Sequence, residues 1–527
     1  MFSDKKLSIL SEIKASNLAF ICAALAFLIY LPTIFYDFSY DDFHQIHNNT
    51  LVTSPELSLD TLLFPFFEPT FPGDVYRPLT VLSYRLTYML IGLQPAVFHF
   101  FNVLLHSLIT FLVFLLSFKT LKHKELAFFS ATWFAVHPIH VEAVASVVGR
   151  AELLAAFFGL CSIFVFSKFL TQRTSLLRVT LLLASSTLLL LGTLSKESCL
   201  TLLPLTPIIA LLMIEKTMYG YESRIRRSVL ASIAIILTAI VYLFIRQTIL
   251  NDLFLPDTTQ GSFWVENPLI KTPLLERIVP GIILLGRYLE LLILPIRLTA
   301  DYSATYLDFW TAIKSNSGIL SLVIASCFLS SLYYLRNNRY SIFGVWVFLT
   351  ISIVLNIAFP IGTLFAERLA YLPSIGFCIF AVFLLANFLI KHPSKNRFLI
   401  PLLSIIILLS AFRTVIRIPV WENNESLFMT TLSDSPNSPK AKINLALQRY
   451  NQKRYQEAAQ LFQTAILEDP ERIFPYPYLI NSLLFTGNML EAELWCKRAL
   501  QVSPEDKKIA KALHRIIEYK TNLRSVE

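Results

Sequence analysis

The chain has 527 residues, of which 55% are hydrophobic and only 15% charged, and its mean hydropathy is +0.59. Soluble domains carry nearer a quarter of their residues charged, so an ordinary soluble protein is excluded and an all-α, polytopic helical membrane protein is expected. The net charge of +9 does not indicate nucleic-acid binding, because the basic residues sit in short loops between hydrophobic runs, where they set orientation across a bilayer.

The first hydrophobic run covers residues 17–36 and follows Lys5 and Lys6. It is long enough to span, and without a small-residue cleavage site before Tyr36 it reads as a retained signal anchor. The acidic pair Asp41-Asp42 comes next, followed by His44 and His47. Adjacent carboxylates at a membrane surface are costly to dehydrate, which suits a site needing a base or a metal at the water–lipid boundary. The bland alternative is an acidic loop after an anchor.

The basic clusters lie at residues 5–14, 119–124, 173–178, 216–227, 336–339 and 391–397. Placing every cluster in the cytoplasm predicts spans at 17–36, 97–118, 126–147, 152–170, 179–195, 199–215, 228–248, 317–335, 341–360, 369–390 and 397–415. The N-terminus is then cytoplasmic and the C-terminus is not. Residues 276–297 are apolar but carry Arg287 and Glu290, and the charge rule makes them a surface-lying or re-entrant element. In this arrangement the non-cytoplasmic face collects Asp41-Asp42 in a loop 37–95, Arg77, the turn around Arg150 and Glu152, Lys196-Glu197, a long loop 249–316, and Glu367-Arg368. Convergence on one face reads as one active site.

After residue 420 the composition turns soluble. Residues 421–437 read as a linker and 438–527 as a helical-repeat domain, with repeats near 439–472 and 473–506 and a closing helix. The period is 34: Ala458 matches Ala492, Ala465 matches Ala499, and Pro470 matches Pro504. This is a tetratricopeptide pattern. Two repeats are few for stability alone, so the domain is expected to pack against the membrane part or its loops.

Several blocks together resemble the transmembrane-and-tetratricopeptide O-mannosyltransferases, within the lipid-phosphate-sugar glycosyltransferases of the C-type fold. They are Tyr40-Asp41-Asp42; Tyr76-Arg77-Pro78; His137-Pro138-Ile139-His140 running on to Gly149-Arg150-Ala151-Glu152; Ser195-Lys196-Glu197; and Ala366-Glu367-Arg368 leading to Tyr371. The resemblance implies a polyprenyl- or dolichyl-phosphate sugar as donor, most readily mannose, with transfer by inversion. The implied acceptor is a hydroxyl of Ser or Thr on a translocated polypeptide, which the repeats would hold. The expected location is the plasma membrane of a prokaryote or the endoplasmic reticulum of a eukaryote, with the repeats on the non-cytoplasmic side.

A neutral alcohol is a poor nucleophile and needs a base. Asp41 is the expected base, with Asp42 second. A departing lipid phosphate needs cations, for which Arg150, Lys196, Arg368 and Arg77 are the candidates. Glu152, Glu197 and Glu367 lie beside these cations and would line the site or form structural ion pairs between helices. His137 and His140 would line the sugar site or be satisfied core histidines, and Asp301 would line the donor groove or sit in a turn. No cofactor is required; Asp41, Asp42 and His44 would suit a divalent metal, although the chemistry does not demand one. The rival reading is a non-enzymatic scaffold or a transporter, which should show charges at helix midpoints and symmetry between halves. A related enzyme acting on a lipid or glycan acceptor is the intermediate case.

Overall fold

The computed structural model describes residues 12–54, 75–214, 220–250, 267–302, 315–390 and 398–524. Lys5, Lys6, Lys216, the 391–397 cluster and parts 251–266 and 303–314 of the 249–316 loop lie outside these segments. The described residues contain helices and turns and no strand. The chain is a multi-pass integral membrane protein: eight helices among the described residues are long and apolar enough to cross a bilayer.

Two compact units are present, 1–298 with 308–422, and 299–307 with 423–527. The first holds α1 (Ala15–Tyr30), α2 (Pro78–Ile91), α3 (Pro95–Leu121), α4 (Lys124–Ala135), α5 (Val141–Ala145), α6 (Arg150–Thr171), α7 (Ser175–Ser195), α8 (Leu202–Leu212), α9 (Tyr221–Leu250), α10 (Ile278–Ile293), α11 (Asn316–Tyr334), α12 (Ile342–Ser352), α13 (Tyr371–Ile390) and α14 (Leu399–Arg417). Eight of the eleven expected spans match long apolar helices. The other three, 126–147, 199–215 and 341–360, correspond to shorter ones.

Each shortening has a local cause. The 126–147 run stops at Ala135, and Pro138 opens a one-turn 3-10 segment instead of continuing α4. Proline lacks the N–H a continuing helix needs and pushes the preceding residue out of helical conformation; His137 accordingly has ψ 126°. A 3-10 turn runs from Glu197 to Thr201 before α8, which then carries Pro207 inside it. The last of the three ends at Ser352, ahead of Asn356, whose φ is +58°. The 276–297 stretch contains α10, sixteen residues long, with Arg287 and Glu290 paired at 2.9 Å on the helix itself. Its Gly286 lies against the Ser321 backbone, where a Cβ would come within 1.9 Å of the carbonyl oxygen.

The broken stretch from His137 to Gly149 is fully enclosed in the protein. It turns back on itself so tightly that a Cβ at Gly149 would lie 2.0 Å from the Ala143 carbonyl oxygen. Gly149→Ala therefore forces the backbone to move. It is expected to cost about 1–3 kcal/mol and to lower the thermal midpoint in detergent, while Gly92→Ala, whose Cβ would meet nothing within 4 Å, pays only for its positive φ.

In the second unit α15 (Asn424–Asp434) occupies the stretch read as a linker, followed by α16 (Pro439–Asn451), α17 (Tyr455–Glu468), α18 (Tyr476–Phe485), α19 (Met489–Val502) and α20 (Lys507–Arg524). α17 and α19 are offset by 34 residues at both ends, as the repeat requires. Ala458, Ala465, Ala492 and Ala499 all lie in one core with Phe462, Trp495, Ile509 and Ile516. Residues 299–302 fold with this unit, and Asp301 accepts a hydrogen bond from the Ser438 hydroxyl that also caps α16.

Candidate active site

The 137–149 segment is the frame to which both sides of the candidate site are attached. Asp42 reaches it from the turn after α1. Its Oδ1 accepts the Val148 N–H at 2.9 Å and the Ser146 hydroxyl at 3.4 Å, and its Oδ2 accepts the N–H groups of Ser39 and Val147 at 3.0 and 3.4 Å. The side chain is completely buried. Burial pushes its carboxyl up to about 7, while the three backbone donors pull the other way. Asp42 thus anchors the turn, with both oxygens already taken.

Asp41 is half-buried beside it, after Tyr40 with φ +53°. That is a left-handed conformation few non-glycine residues adopt, and it is more common at functional sites. Asp41 lies within electrostatic reach of Arg368. The two neighbours therefore have separable roles. Asp42→Asn leaves buried N–H donors facing an amide, expected to cost about 1–3 kcal/mol and to lower the thermal midpoint by more than Asp41→Asn does.

Arg368 stands on a 3-10 turn, Glu367–Ala370, that leads into α13. Its guanidinium pairs with Glu142 of α5, and its backbone N–H donates to Glu142 Oε2 at 2.9 Å. Two further ion pairs belong to the same electrostatic neighbourhood: Lys196 with Glu152, and Arg77 with Glu197. Arg77 donates from Nε and Nη2 to the two Glu197 oxygens at 3.0 and 2.6 Å, a bidentate fork. Lys196 feels Arg77, Glu197 and Arg368 as well as Glu152, so charges from four distant stretches of chain meet.

Neighbours in sequence are not the partners. Glu152 pairs with Lys196 and not with Arg150; Glu197 pairs with Arg77; Glu367 faces Arg417 at 3.7 Å; and Arg368 takes Glu142. Residues one or two apart on a helix do not face each other. Glu142 and Arg417 were missed by sequence reasoning. The signal for Glu142 was Pro138, which takes the following residues out of a membrane helix.

Arg150 is committed to the fold. Its guanidinium donates to Asn102 Oδ1 at 3.1 Å, Thr87 Oγ1 at 3.1 Å, and the Ser83 and Phe98 carbonyls at 3.2 and 2.9 Å. It also sits over the ring of Tyr84. Completely surrounded, it ties α2, α3 and α6 together and is not presented to a phosphate. His137 Nε2 bonds the Leu292 carbonyl at 2.9 Å, and His140 Nε2 bonds Ser374 Oγ at 2.7 Å. Both are buried core histidines. His140 nonetheless bears on the site, because Ser374 follows the Arg368 turn. Asp301 lies in the other compact unit with Ser438. Among the described residues no three His, Cys, Asp or Glu side chains gather where they would hold a metal ion; Asp42 is committed to backbone donors, whereas His44 is exposed.

No protein-family model matches the chain. It is 28% identical to Protein O-mannosyl-transferase TMTC3 of Mus musculus over 476 residues, which are 84% of this chain and 50% of that protein. It is also 28% identical to Protein O-mannosyl-transferase F38B6.6 of Caenorhabditis elegans, over 85% of this chain and 62% of that one. To Protein O-mannosyl-transferase TMTC4 of Homo sapiens it is 28% identical over 78% of this chain and 60% of that protein. The chain thus spans about half to three-fifths of the length of these curated relatives. The resemblance is to one family, the transmembrane-and-tetratricopeptide protein O-mannosyl-transferases, and with TMTC3 and F38B6.6 it runs through more than four-fifths of this chain.

Proposed function

We propose that the chain is a membrane glycosyltransferase that moves a sugar, mannose in the first instance, from a polyprenyl or dolichyl phosphate to a Ser or Thr hydroxyl of a polypeptide. The observation that carries this reading is the meeting of a half-buried carboxylate, Asp41, with a half-buried guanidinium, Arg368. They are placed by one buried frame, and Lys196 and Arg77 lie in the same electrostatic neighbourhood. The names carried by the relatives support the same activity.

In this mechanism the acceptor oxygen attacks the anomeric carbon opposite the phosphate. The bond to the acceptor forms as the bond to the phosphate oxygen breaks, so configuration inverts. The hydroxyl proton passes to Asp41, and the lipid phosphate leaves with the bonding electrons. Base assistance of this kind contributes about 10²–10⁴-fold. Arg368 meets the growing phosphate charge directly. Lys196 and Arg77, already held by Glu152 and Glu197, are assigned a supporting part in binding the donor phosphate. The reaction is assigned to the non-cytoplasmic face, and the helical repeat is assigned the polypeptide acceptor.

The test is transfer by the purified full-length chain from radiolabelled polyprenyl-phosphate mannose to a Ser/Thr peptide. Label on the peptide supports the reading. Label on lipid or glycan alone moves the acceptor to those classes. No transfer from this donor to any acceptor favours the scaffold or transporter.

A further inference from the structure

Glu142 is absent from the acid–base and phosphate roles above, yet its placement is informative. Only 2% of its side chain is exposed, against 26% for the Arg368 side chain it holds. One Glu142 oxygen takes the Arg368 guanidinium and the other its backbone N–H, so side chain and main chain are fixed together. The same frame carries His140, bonded to Ser374, and the Val147 and Val148 N–H groups that hold Asp42. The turn bearing Asp41 and the turn bearing Arg368 are therefore both fastened to residues 140–148. A simple surface ion pair would not enclose its acid this completely, nor grip the backbone of its partner.

We propose that Glu142 is the positioning residue of the donor-phosphate arm. Resting on the functional reading above, it aims the Arg368 guanidinium outward at the phosphate and, by occupying that charge from behind, keeps it from closing onto Asp41 and quenching the base. No group is transferred to or from Glu142; its effect passes through Arg368.

A double-variant cycle separates this from a purely structural role. Glu142→Gln is expected to lower kcat/KM for the polyprenyl-phosphate donor by about 10–100-fold, the scale of a misplacement near 1 Å. It should also weaken the thermal stabilisation that polyprenyl phosphate gives the protein, a readout that needs no turnover. In an Arg368→Gln background the same change should have almost no further effect, since the partner it acts through is gone. Losses that multiply independently in the double variant would overturn the proposal, as would unchanged donor binding in Glu142→Gln. If Glu142→Gln does not accumulate, Glu142→Asp, which keeps the charge and shortens the reach, takes its place in the cycle under the same criteria. A wild-type protein that neither transfers sugar nor is stabilised by polyprenyl phosphate removes the functional reading, and the inference falls with it; a wild type that does both, beside an uncoupled cycle, removes the inference alone.

Discussion

Asp41→Asn should abolish most sugar transfer while leaving the protein folded. The amide keeps the shape of the side chain and loses the capacity to accept a proton, so the rate should fall by about 10²–10⁴-fold. Donor binding should survive, because Arg368 and its Glu142 anchor are untouched and a competing negative charge beside the guanidinium is gone. The signature is therefore a collapse of kcat with KM for the donor unchanged or lower. Asp42→Asn gives the opposite pattern: a lowered thermal midpoint, with activity lost in proportion to the unfolded fraction. Steady-state kinetics and thermal unfolding of the two variants side by side distinguish the half-buried carboxylate from the one tied to Ser39, Val147 and Val148.

The largest effect on stability should come from Glu152→Gln. Lys196 and Glu152 are only 6% and 2% exposed. Removing one charge leaves the other buried without its counter-ion, a loss of about 3–5 kcal/mol in comparable pairs. Arg77 and Arg368 add positive potential at Lys196 and Glu197 offsets part of it, so the buried ammonium left behind is poorly compensated. The thermal midpoint of Glu152→Gln in detergent should fall well below wild type. Lys196→Met combined with Glu152→Gln should recover much of that loss, because no uncompensated charge remains. Equal midpoints for wild type and Glu152→Gln would mean that the pair is open to water and contributes little.

Much of this architecture was legible because it follows from local chemistry. Long apolar runs between basic clusters gave the principal membrane helices. The 34-residue spacing of Ala458, Ala465, Ala492 and Ala499 gave the repeat, whose helices α17 and α19 keep that offset and bury all four alanines together. The site was legible only as a collection of residues. Adjacency could not say which of Asp41 and Asp42 is the fully buried one, since that depends on the Val147 and Val148 N–H groups more than a hundred positions away. Nor could it pair the charges, because each acid crosses to a cation on another segment. Arg150 looked like a phosphate ligand from its charge and its place at a helix start, and its real partners are carbonyls and side chains of α2 and α3. Glu142 was hidden because hydropathy alone carries a span through residues 126–147, whereas Pro138 ends the helix and turns the chain back towards Arg368.

The most direct test of the central claim is mannose transfer from radiolabelled polyprenyl-phosphate mannose to a Ser/Thr peptide, measured for wild type, Asp41→Asn and Arg368→Gln at equal amounts of folded protein. The account predicts labelled peptide from wild type and a loss of at least a hundredfold in Asp41→Asn, with Arg368→Gln impaired both in its demand for donor and in turnover. Equal labelling by wild type and Asp41→Asn would contradict it, because the carboxylate would then have no part in the reaction.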